Sequence, residues 1–313
     1  TRSRAARRRH WTKGGAAPQV QTRVPGDGAR IVPSGQLFAA RMMFNLRVYA
    51  ATFMVGAFLG PAAVGFYRAA DRLVGALTEV ITVPAQALAW NLFRHAREAH
   101  GGTTEGFQAL AAVFFLTLFG VAMPLFLWLI IMGEDLILGL LGPEWLPALP
   151  VVVILAVGRG VMLPGAITEP LLSLAGEIRR LPPASLFYLV LTLLLVLIFA
   201  PMGLIPLSLS QLLVGLVIAV TNGWLMYRYC AVNWRDTALN APRLLGPILL
   251  GTACLLVLRD ASFASEWPAL LRAVGLSLPA VVVYLAALMA LQPKMRAWVR
   301  QRVQQRRKTA GGI

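Results

Sequence analysis

The sequence predicts an all-α, polytopic membrane protein: a helical bundle of about eight transmembrane helices with both termini in the cytoplasm. Three observations lead to this prediction. Hydrophobic residues make up 58% of the 313 residues and charged residues only 13%, about half of the roughly 25% that is usual in soluble domains. Long apolar segments recur along the chain, and most basic residues lie in the tails and in alternate loops. This composition excludes an ordinary cytosolic enzyme and a disordered chain.

Eight segments reach or approach the roughly 20 apolar residues that a helix needs to cross about 30 Å of hydrocarbon. The predicted spans are 37–59, 66–92, 110–132, 147–175, 184–200, 204–227, 242–258 and 267–291. The fifth and sixth spans form a hairpin that is broken near Pro201. The fourth span contains three glycines and a proline over 158–165, which predicts a kinked or interrupted helix.

Basic residues alternate between the two sides of the predicted spans. Both tails and the loops after the second, fourth and sixth spans hold 22 of the 29 Lys and Arg residues. The loops after the first, third and fifth spans hold none, and the loop after the seventh span holds Arg259. The loop after the third span is instead acidic, with Glu134, Asp135 and Glu144. This positive-inside pattern places both termini on the cytoplasmic side.

Composition divides the chain into three parts. Residues 1–36 are rich in Arg, Gly, Ala and Pro and predict a basic, mobile cytoplasmic segment. Residues 37–291 form the transmembrane bundle, and residues 292–313 form a basic cytoplasmic tail. We expect both tails to attract anionic membrane lipids. We expect no nucleic acid as a partner, because few aromatic residues and no recognisable fold accompany the basic residues.

Six charged residues inside the predicted spans form the candidate site: Arg47, Asp71, Arg72, Glu79, Arg159 and Glu169. An unpaired charge near the centre of a bilayer costs several kcal/mol, so each of these residues needs an ion-pair partner or a water-filled cavity. The alternatives are ion pairs that hold the helices together, a water-filled cavity of positive character for an anionic substrate, or a second span that is partly interfacial. Arg41 and Arg272 lie near span ends, where we expect them to snorkel to the headgroups.

The second span carries a polar stripe. Arg68, Arg72, Gly75 and Glu79 share one helix face by their spacing of three and four residues. Thr82 and Gln86 extend the same face. A polar face inside a membrane protein must meet water or another polar helix, so we expect the stripe to line the cavity.

Motifs for covalent chemistry are absent from the sequence. It contains no G-x-x-x-x-G-K-[ST] phosphate loop, no H-E-x-x-H and no Cys/His ligand cluster. The three histidines lie in a predicted cytoplasmic tail and loop, and the two cysteines are too few for a disulfide framework. We therefore expect a protein that is not an enzyme and that needs no cofactor and no metal.

Three segments resemble motifs of the polysaccharide and oligosaccharide-lipid flippases. Residues 55–73, VGAFLGPAAVGFYRAADRL, resemble the run G-x-x-L-G-x-x-x-x-G-x-Y-x-x-A-x-R-L. Residues 140–148, LLGPEWLPA, resemble G-x-x-W-x-x-A, and residues 172–180, LSLAGEIRR, resemble the A-x-G-x turn. Their order and spacing match as well, so the chain is similar to this family from about residue 36 to residue 230. The family belongs to the multidrug/oligosaccharidyl-lipid/polysaccharide exporter superfamily.

The resemblance implies a transporter with two lobes of helices around a central cavity. Its substrate would be a polyprenyl-pyrophosphate-linked oligosaccharide, moved across the bacterial inner membrane for the biosynthesis of an envelope polysaccharide such as lipopolysaccharide or exopolysaccharide. The family commonly has more helices than eight. The eight spans would then be the last eight, residues 1–36 would link the lobes, and an N-terminal lobe would be missing or supplied by a partner chain.

The resemblance also suggests roles for the charged residues of the site. Three would face the cavity and compensate the pyrophosphate: Arg47, Arg72 and Arg159. Three would pair with them or carry protons: Asp71, Glu79 and Glu169. Among the alternatives, a multidrug/cation antiporter of the same superfamily would need an acidic cavity, and a membrane polysaccharide polymerase or ligase would use long basic periplasmic loops. A membrane anchor without transport activity is a further alternative.

Overall fold

The computed structural model describes residues 27–260 and 266–291. Within these ranges the chain is helical and contains no strand, which confirms the predicted all-α bundle. The helices are α1 (Asp27–Ala99), α2 (Glu105–Leu140), α3 (Leu149–Met162), α4 (Thr168–Ala175), α5 (Leu181–Phe199), α6 (Leu204–Tyr229), α7 (Trp234–Asn240), α8 (Pro242–Arg259), α9 (Ala269–Gly275) and α10 (Ser277–Leu291). The predictions for the tails at 1–26 and 292–313 lie outside the described residues.

Helix α1 begins at Asp27, ten residues before the predicted start of the bundle at 37. Residues 27–36 are therefore helical, although their composition predicted no regular structure. The apolar part of α1 supplies the nucleus, and a helix extends readily from a nucleus into flanking residues such as Ala29 and Arg30, which have high helix propensity.

Seven described segments are long and apolar enough to cross a membrane: Gly35–Ala99, Glu105–Leu140, Pro143–Ala175, Ile178–Met202, Leu204–Tyr229, Pro242–Arg259 and Ala269–Ala290. The first contains two of the eight predicted spans. A straight helix of 73 residues would be about 110 Å long, far more than one crossing requires.

A hairpin at Gly60 divides α1 into a first arm, 27–59, and a second arm, 61–99. Gly60 has φ +81° and ψ 179°, a conformation open essentially to glycine alone. A Cβ placed on Gly56 would lie 3.2 Å from Cγ2 of Val64, a distance that a continuous helix does not allow between residues eight apart. The arms therefore fold back on each other and correspond to the first two predicted spans.

The fourth span is interrupted, as its glycines and proline predicted. Helix α3 ends at Met162, a 3₁₀ turn covers Leu163–Ile167, and α4 begins at Thr168. Gly158 and Gly160 lie inside α3, where they face Leu212 of α6 and Phe126 of α2. The break in the helix follows at Pro164, which cannot donate a main-chain hydrogen bond.

The predicted acidic loop after the third span is in part helical, which corrects the sequence analysis. Helix α2 continues to Leu140 and includes Glu134 and Asp135. Arg259 of α8 donates to Glu134 at 2.9 Å, and Arg272 of α9 donates to Asp135. Arg272 therefore does not snorkel to the headgroups. These two ion pairs attach the C-terminal helices to the end of α2.

The hydrophobic core lies around α2, between the second arm of α1 and α3. Phe93 packs edge to face against Phe107, and the ring centre of Phe115 lies 4.6 Å from that of Trp234. By contrast, the outer faces of the helices carry large apolar side chains that protrude from the bundle, such as Phe53, which is 76% exposed. An exposed apolar surface of this extent is expected of helices that face lipid.

Loops that the alternation of charges assigns to one side also contact each other. At the predicted outer end the ring centre of Phe66 lies 5.9 Å from that of Trp145, so two of the three sequence motifs meet. At the predicted cytoplasmic end the guanidinium carbon of Arg180 lies 4.8 Å from the ring centre of Tyr229. The contacts agree with the predicted order of spans, while the side of the membrane on which each end lies remains a prediction.

Candidate functional site

A cavity of about 830 Å³ opens between the two arms of α1, the interrupted fourth span, α5 and α6. All six charged residues of the predicted site line it: Arg47, Asp71, Arg72, Glu79, Arg159 and Glu169. Arg41 from the first arm also contributes, so the lining carries four arginines against three carboxylates. The arginines of the lining therefore outnumber its carboxylates by one.

Most of the polar stripe predicted on the second arm faces this cavity. Its lining residues are Arg72, Gly75, Glu79, Thr82 and Gln86. Arg68, which was predicted to begin this stripe one turn earlier, is exposed and is not among the lining residues, so the stripe that faces the cavity begins at Arg72. The spacing of three and four residues places the stripe on one side of the helix, and the antiparallel packing of the arms turns that side towards the fourth span.

Two ion pairs cross the cavity. Arg159 of α3 donates to Asp71 of the second arm at 3.1 Å, and both side chains are about a third exposed. Arg41 of the first arm donates to Glu169 of α4 at 3.0 Å. Arg41 was expected to snorkel to the headgroups, and the structure corrects this because a carboxylate from the facing helix lies within its reach.

Two arginines and one carboxylate of the lining have no ion-pair partner among the described residues: Arg47, Arg72 and Glu79. Arg47 is half-buried, and its guanidinium carbon lies 5.2 Å from the ring centre of Phe44. Stacking on an aromatic face stabilises a cation but does not neutralise it. Arg47 and Arg72 can therefore attract an anionic group in the cavity.

The break in the fourth span exposes polar groups to the cavity. Gln86 of the second arm donates its amide to the carbonyl oxygen of Ala166 at 2.9 Å. The hydroxyl of Thr168, at the start of α4, is buried and has no hydrogen-bond partner among the described residues. These groups lie nearer the predicted cytoplasmic end than Asp71, because Gln86 follows Asp71 along the second arm by about four turns.

A second, smaller chamber of about 50 Å³ lies beyond the Arg159–Asp71 pair. It shares Arg47, Asp71 and Arg159 with the large cavity, and it is otherwise lined by groups that include Tyr67 and Gln211. Asp71 lies eleven residues after the hairpin at Gly60, or about 17 Å along the arm. The pair therefore stands near the middle of the bundle, between the large cavity and the small chamber.

The sequence analysis did not identify the neutral polar residues on α5 and α6. Tyr188 donates its hydroxyl to Asn222 at 2.9 Å, and both lie in the wall of the cavity. Nε2 of Gln211, in the wall of the small chamber, is buried without a partner among the described residues. The signal in the sequence was the presence of polar residues in otherwise apolar spans, but it does not indicate which face they occupy.

Within the described residues, no group of three His, Cys, Asp or Glu side chains could hold a metal ion. The third sequence motif forms the turn after α4. Gly176 ends that helix with φ +80°, and Glu177 accepts hydrogen bonds from Arg179, which lower the pKa of its carboxyl. This turn lies outside the cavity and connects the fourth span to α5.

Residues 31–150 match the model of a protein family described as polysaccharide biosynthesis protein. The match includes both arms of the α1 hairpin, the polar stripe and the motif around Trp145. No curated protein matches the chain at a significant level. The match confirms the resemblance that the first two motifs predicted and supports a role in polysaccharide biosynthesis for a multi-pass membrane protein: over residues 31–150, this chain is similar to the polysaccharide biosynthesis protein family.

Proposed function

We propose that this protein moves a polyprenyl-pyrophosphate-linked oligosaccharide across the inner (plasma) membrane of a bacterium during envelope polysaccharide biosynthesis. It acts as a flippase-type transporter and not as an enzyme, because the step breaks no covalent bond. The observation that carries this proposal is the cavity within the bundle, whose lining collects Arg47, Arg72 and Arg159. The similarity of residues 31–150 to a polysaccharide biosynthesis family supports a role in polysaccharide biosynthesis.

The arginines suit a pyrophosphate better than a neutral or cationic substrate. A guanidinium group presents parallel N–H donors that match two oxygens of one phosphate group. Arg47 and Arg72 are free of carboxylate partners among the described residues, so their charge is available to a ligand. A cationic drug would instead require an excess of carboxylates in the lining.

The remainder of the cavity suits the sugars. Its volume of about 830 Å³ falls in the usual range of roughly 300–1,000 Å³ for sites that bind small molecules. The neutral polar groups of Thr82, Gln86, Ser185 and Asn222 line the wall and can exchange hydrogen bonds with hydroxyl groups. The prenyl chain would stay in the surrounding lipid, beside exposed aromatic side chains of the first arm such as Phe53.

Two further partners belong to this proposal. A second lobe of helices, on the same polypeptide or on a partner chain, would close the cavity on the side of the first arm, whose apolar face is largely exposed. Anionic lipids would contact the basic segments at both ends of the chain.

The test replaces arginines of the lining in the producing bacterium and measures both surface glycan and protein stability. Arg47→Ala and Arg159→Ala are expected to abolish surface display of the polysaccharide while the protein still accumulates and folds. Arg47→Lys and Arg159→Lys are expected to restore display only in part, because lysine keeps the charge but lacks the fork of donors.

The matched control is Arg68→Ala, which removes the same charge from an exposed position of the second arm outside the cavity. It is expected to leave surface display near the wild-type level. Normal display with Arg47→Ala, in a protein that melts at the wild-type temperature, would contradict the proposal that this residue binds the substrate.

A further inference from the structure

The ion pair between Arg159 and Asp71 stands where the large cavity meets the small chamber, and its two residues line both. A single contact joins the two side chains, from Nη2 of Arg159 to Oδ1 of Asp71 at 3.1 Å. Each side chain is about a third exposed, so a ligand in the cavity has access to the pair. Arg47, which has no carboxylate partner among the described residues, lines the same place.

We propose that Asp71 is an internal counter-ion that the phosphate of the substrate displaces from Arg159, and that the displaced carboxylate then takes up a proton. Binding of substrate would thereby be coupled to proton uptake at one residue. The inference rests on the proposed function, since it takes a pyrophosphate-bearing ligand as the displacing group.

Displacement is favoured by the geometry of the donors. The single N–H···O contact with Asp71 engages one of the five N–H donors of Arg159, so the others remain for a phosphate group, which can accept two parallel bonds from one guanidinium. The same phosphate can interact with Arg47, which Asp71 does not engage in an ion pair. A ligand with two negative charges therefore gains contacts that one carboxylate cannot make.

Proton uptake follows from the charged groups that would surround Asp71 after the phosphate has displaced it from Arg159. Arg47 of the first arm, Tyr67 of its own arm, Arg159 of α3 and Tyr188 of α5 are the titratable groups around this part of the cavity. The part of α6 that lines this place presents neutral groups, such as Gln211. Once phosphate occupies the arginines, Asp71 has lost its partner and gained an anionic neighbour. Both changes favour the neutral, protonated carboxyl.

Arg72 follows Asp71 on the second arm and lines the large cavity, but one helical step of about 100° separates the directions of the two side chains. Arg72 therefore remains available to the second phosphate group rather than to Asp71. Glu79, two turns further along the stripe, carries no ion pair among the described residues and keeps the lining from becoming purely cationic.

The experiment measures binding of farnesyl pyrophosphate, a short polyprenyl pyrophosphate, to the purified full chain in lipid nanodiscs. Isothermal titration calorimetry gives Kd at several pH values between about 5.5 and 8.5. Two buffers with different ionisation enthalpies give the number of protons taken up. The wild type is compared with Asp71→Asn, which keeps the shape but neither the charge nor the proton. Ionisation of the free ligand is common to both proteins and cancels in the comparison.

Asp71→Asn is expected to bind the probe roughly tenfold tighter than the wild type at the alkaline end of the range, because the competing charge-assisted hydrogen bond is gone. The difference in Kd should narrow as the pH falls, since protonation removes the competitor from the wild type as well. The wild type should take up more protons per ligand than Asp71→Asn. Glu144→Gln removes the same charge from an exposed position outside both cavities, and it should keep the wild-type proton uptake.

Equal Kd values and equal proton uptake in the wild type and Asp71→Asn would overturn the inference while leaving the binding of pyrophosphate intact. Absence of saturable binding to either protein would instead contradict the proposed function, and the inference with it. If Asp71→Asn does not fold, infrared difference spectra of the wild type test the inference instead. The carbonyl stretch of a newly protonated carboxyl should appear when the probe is added, and its absence would overturn the inference.

Discussion

Gly165, in the 3₁₀ turn of the fourth span, is a residue whose lack of a side chain shapes the wall of the cavity. A Cβ at this position would lie 2.6 Å from Nδ2 of Asn222, closer than any side chain tolerates. Oδ1 of the same amide accepts a hydrogen bond from the hydroxyl of Tyr188 at 2.9 Å. Gly75, on the opposite wall, has open space where a Cβ would stand, with no atom of the described residues within 4 Å. The two glycines should therefore respond to substitution in opposite ways.

Gly165→Ala is expected to destabilise the protein by about 1–3 kcal/mol, because Asn222 must move and its hydrogen bond with Tyr188 weakens. Gly75→Ala is the matched control and is expected to stabilise by up to about 1 kcal/mol, since alanine has the higher helix propensity. The melting temperature in detergent measures both changes. A melting temperature for Gly165→Ala at or above that of Gly75→Ala would show that the wall accommodates the methyl group.

The sequence predicted the charged residues of the site one by one, because a charge inside an apolar span is costly and therefore conspicuous. It did not predict their partners. Arg41 and Glu169 are 128 residues apart in the chain, and only the packing of the first arm on α4 brings them together. Asn222 was not predicted as part of the site. Burying a neutral amide costs less free energy than burying a charge, so its presence in an apolar helix does not by itself indicate a functional site.

At the scale of elements, the end of α2 carries two neighbouring ion pairs that differ in burial. Asp135 is 1% exposed and pairs with Arg272 of α9. The side chain of Glu134 is 44% exposed and pairs with Arg259 of α8. One position along the helix therefore separates a buried carboxylate from one that reaches solvent or headgroups.

Asp135→Ala is expected to cost about 3–5 kcal/mol of stability, because it leaves the guanidinium of Arg272 partly buried without this partner. The double variant with Arg272→Ala should recover part of that loss. Glu134→Ala is the matched control and should cost less than about 1 kcal/mol, as exposed ion pairs do. Thermal unfolding in detergent, combined as a double-mutant cycle, gives the coupling energy. A value near zero for Asp135 and Arg272 would show that their ion pair does not hold α9 to α2.

The elements were predicted best where turn-forming residues mark a boundary. Pro164 and its neighbouring glycines indicated the break between α3 and α4, and Gly60 allows the hairpin in α1. The end of α2 was predicted too early, because counting apolar residues ends a span at the first charge. The helix itself continues through Glu134 and Asp135, since both carboxylates find arginines on neighbouring helices.

At the scale of the whole molecule, contacts between distant loops agree with the alternation of charge. Trp145 packs against Phe66, and both segments were assigned to the outer side. Arg180 stacks on Tyr229, and both were assigned to the cytoplasmic side. Contacts of this kind fix the relative order of the spans. Their absolute orientation depends on the positive-inside pattern, which the helices alone do not reveal.

Cysteine labelling tests that orientation. The two native cysteines, one buried and one half-buried, are first replaced by alanine. A single cysteine at Met202, which is 64% exposed in the turn between α5 and α6, should then react with a membrane-impermeant maleimide in intact spheroplasts. A cysteine at Leu239, which is 66% exposed in α7, should react only after the membrane is permeabilised.

The two positions are matched in exposure, so a difference in their labelling reports the side of the membrane rather than accessibility within the fold. Helix α6, a single crossing of 26 residues, lies between the two positions. An error of one in the number of spans before α6 would place both cysteines on the wrong side of the membrane. The excess of arginine in the loops around Leu239 favours the cytoplasm because translocating those charges is opposed during insertion. Labelling of the cysteine at Leu239 in intact spheroplasts, with protection at Met202, would reverse the whole topology. The large cavity would then open to the outside, where a cytoplasmic lipid-linked sugar could not enter it.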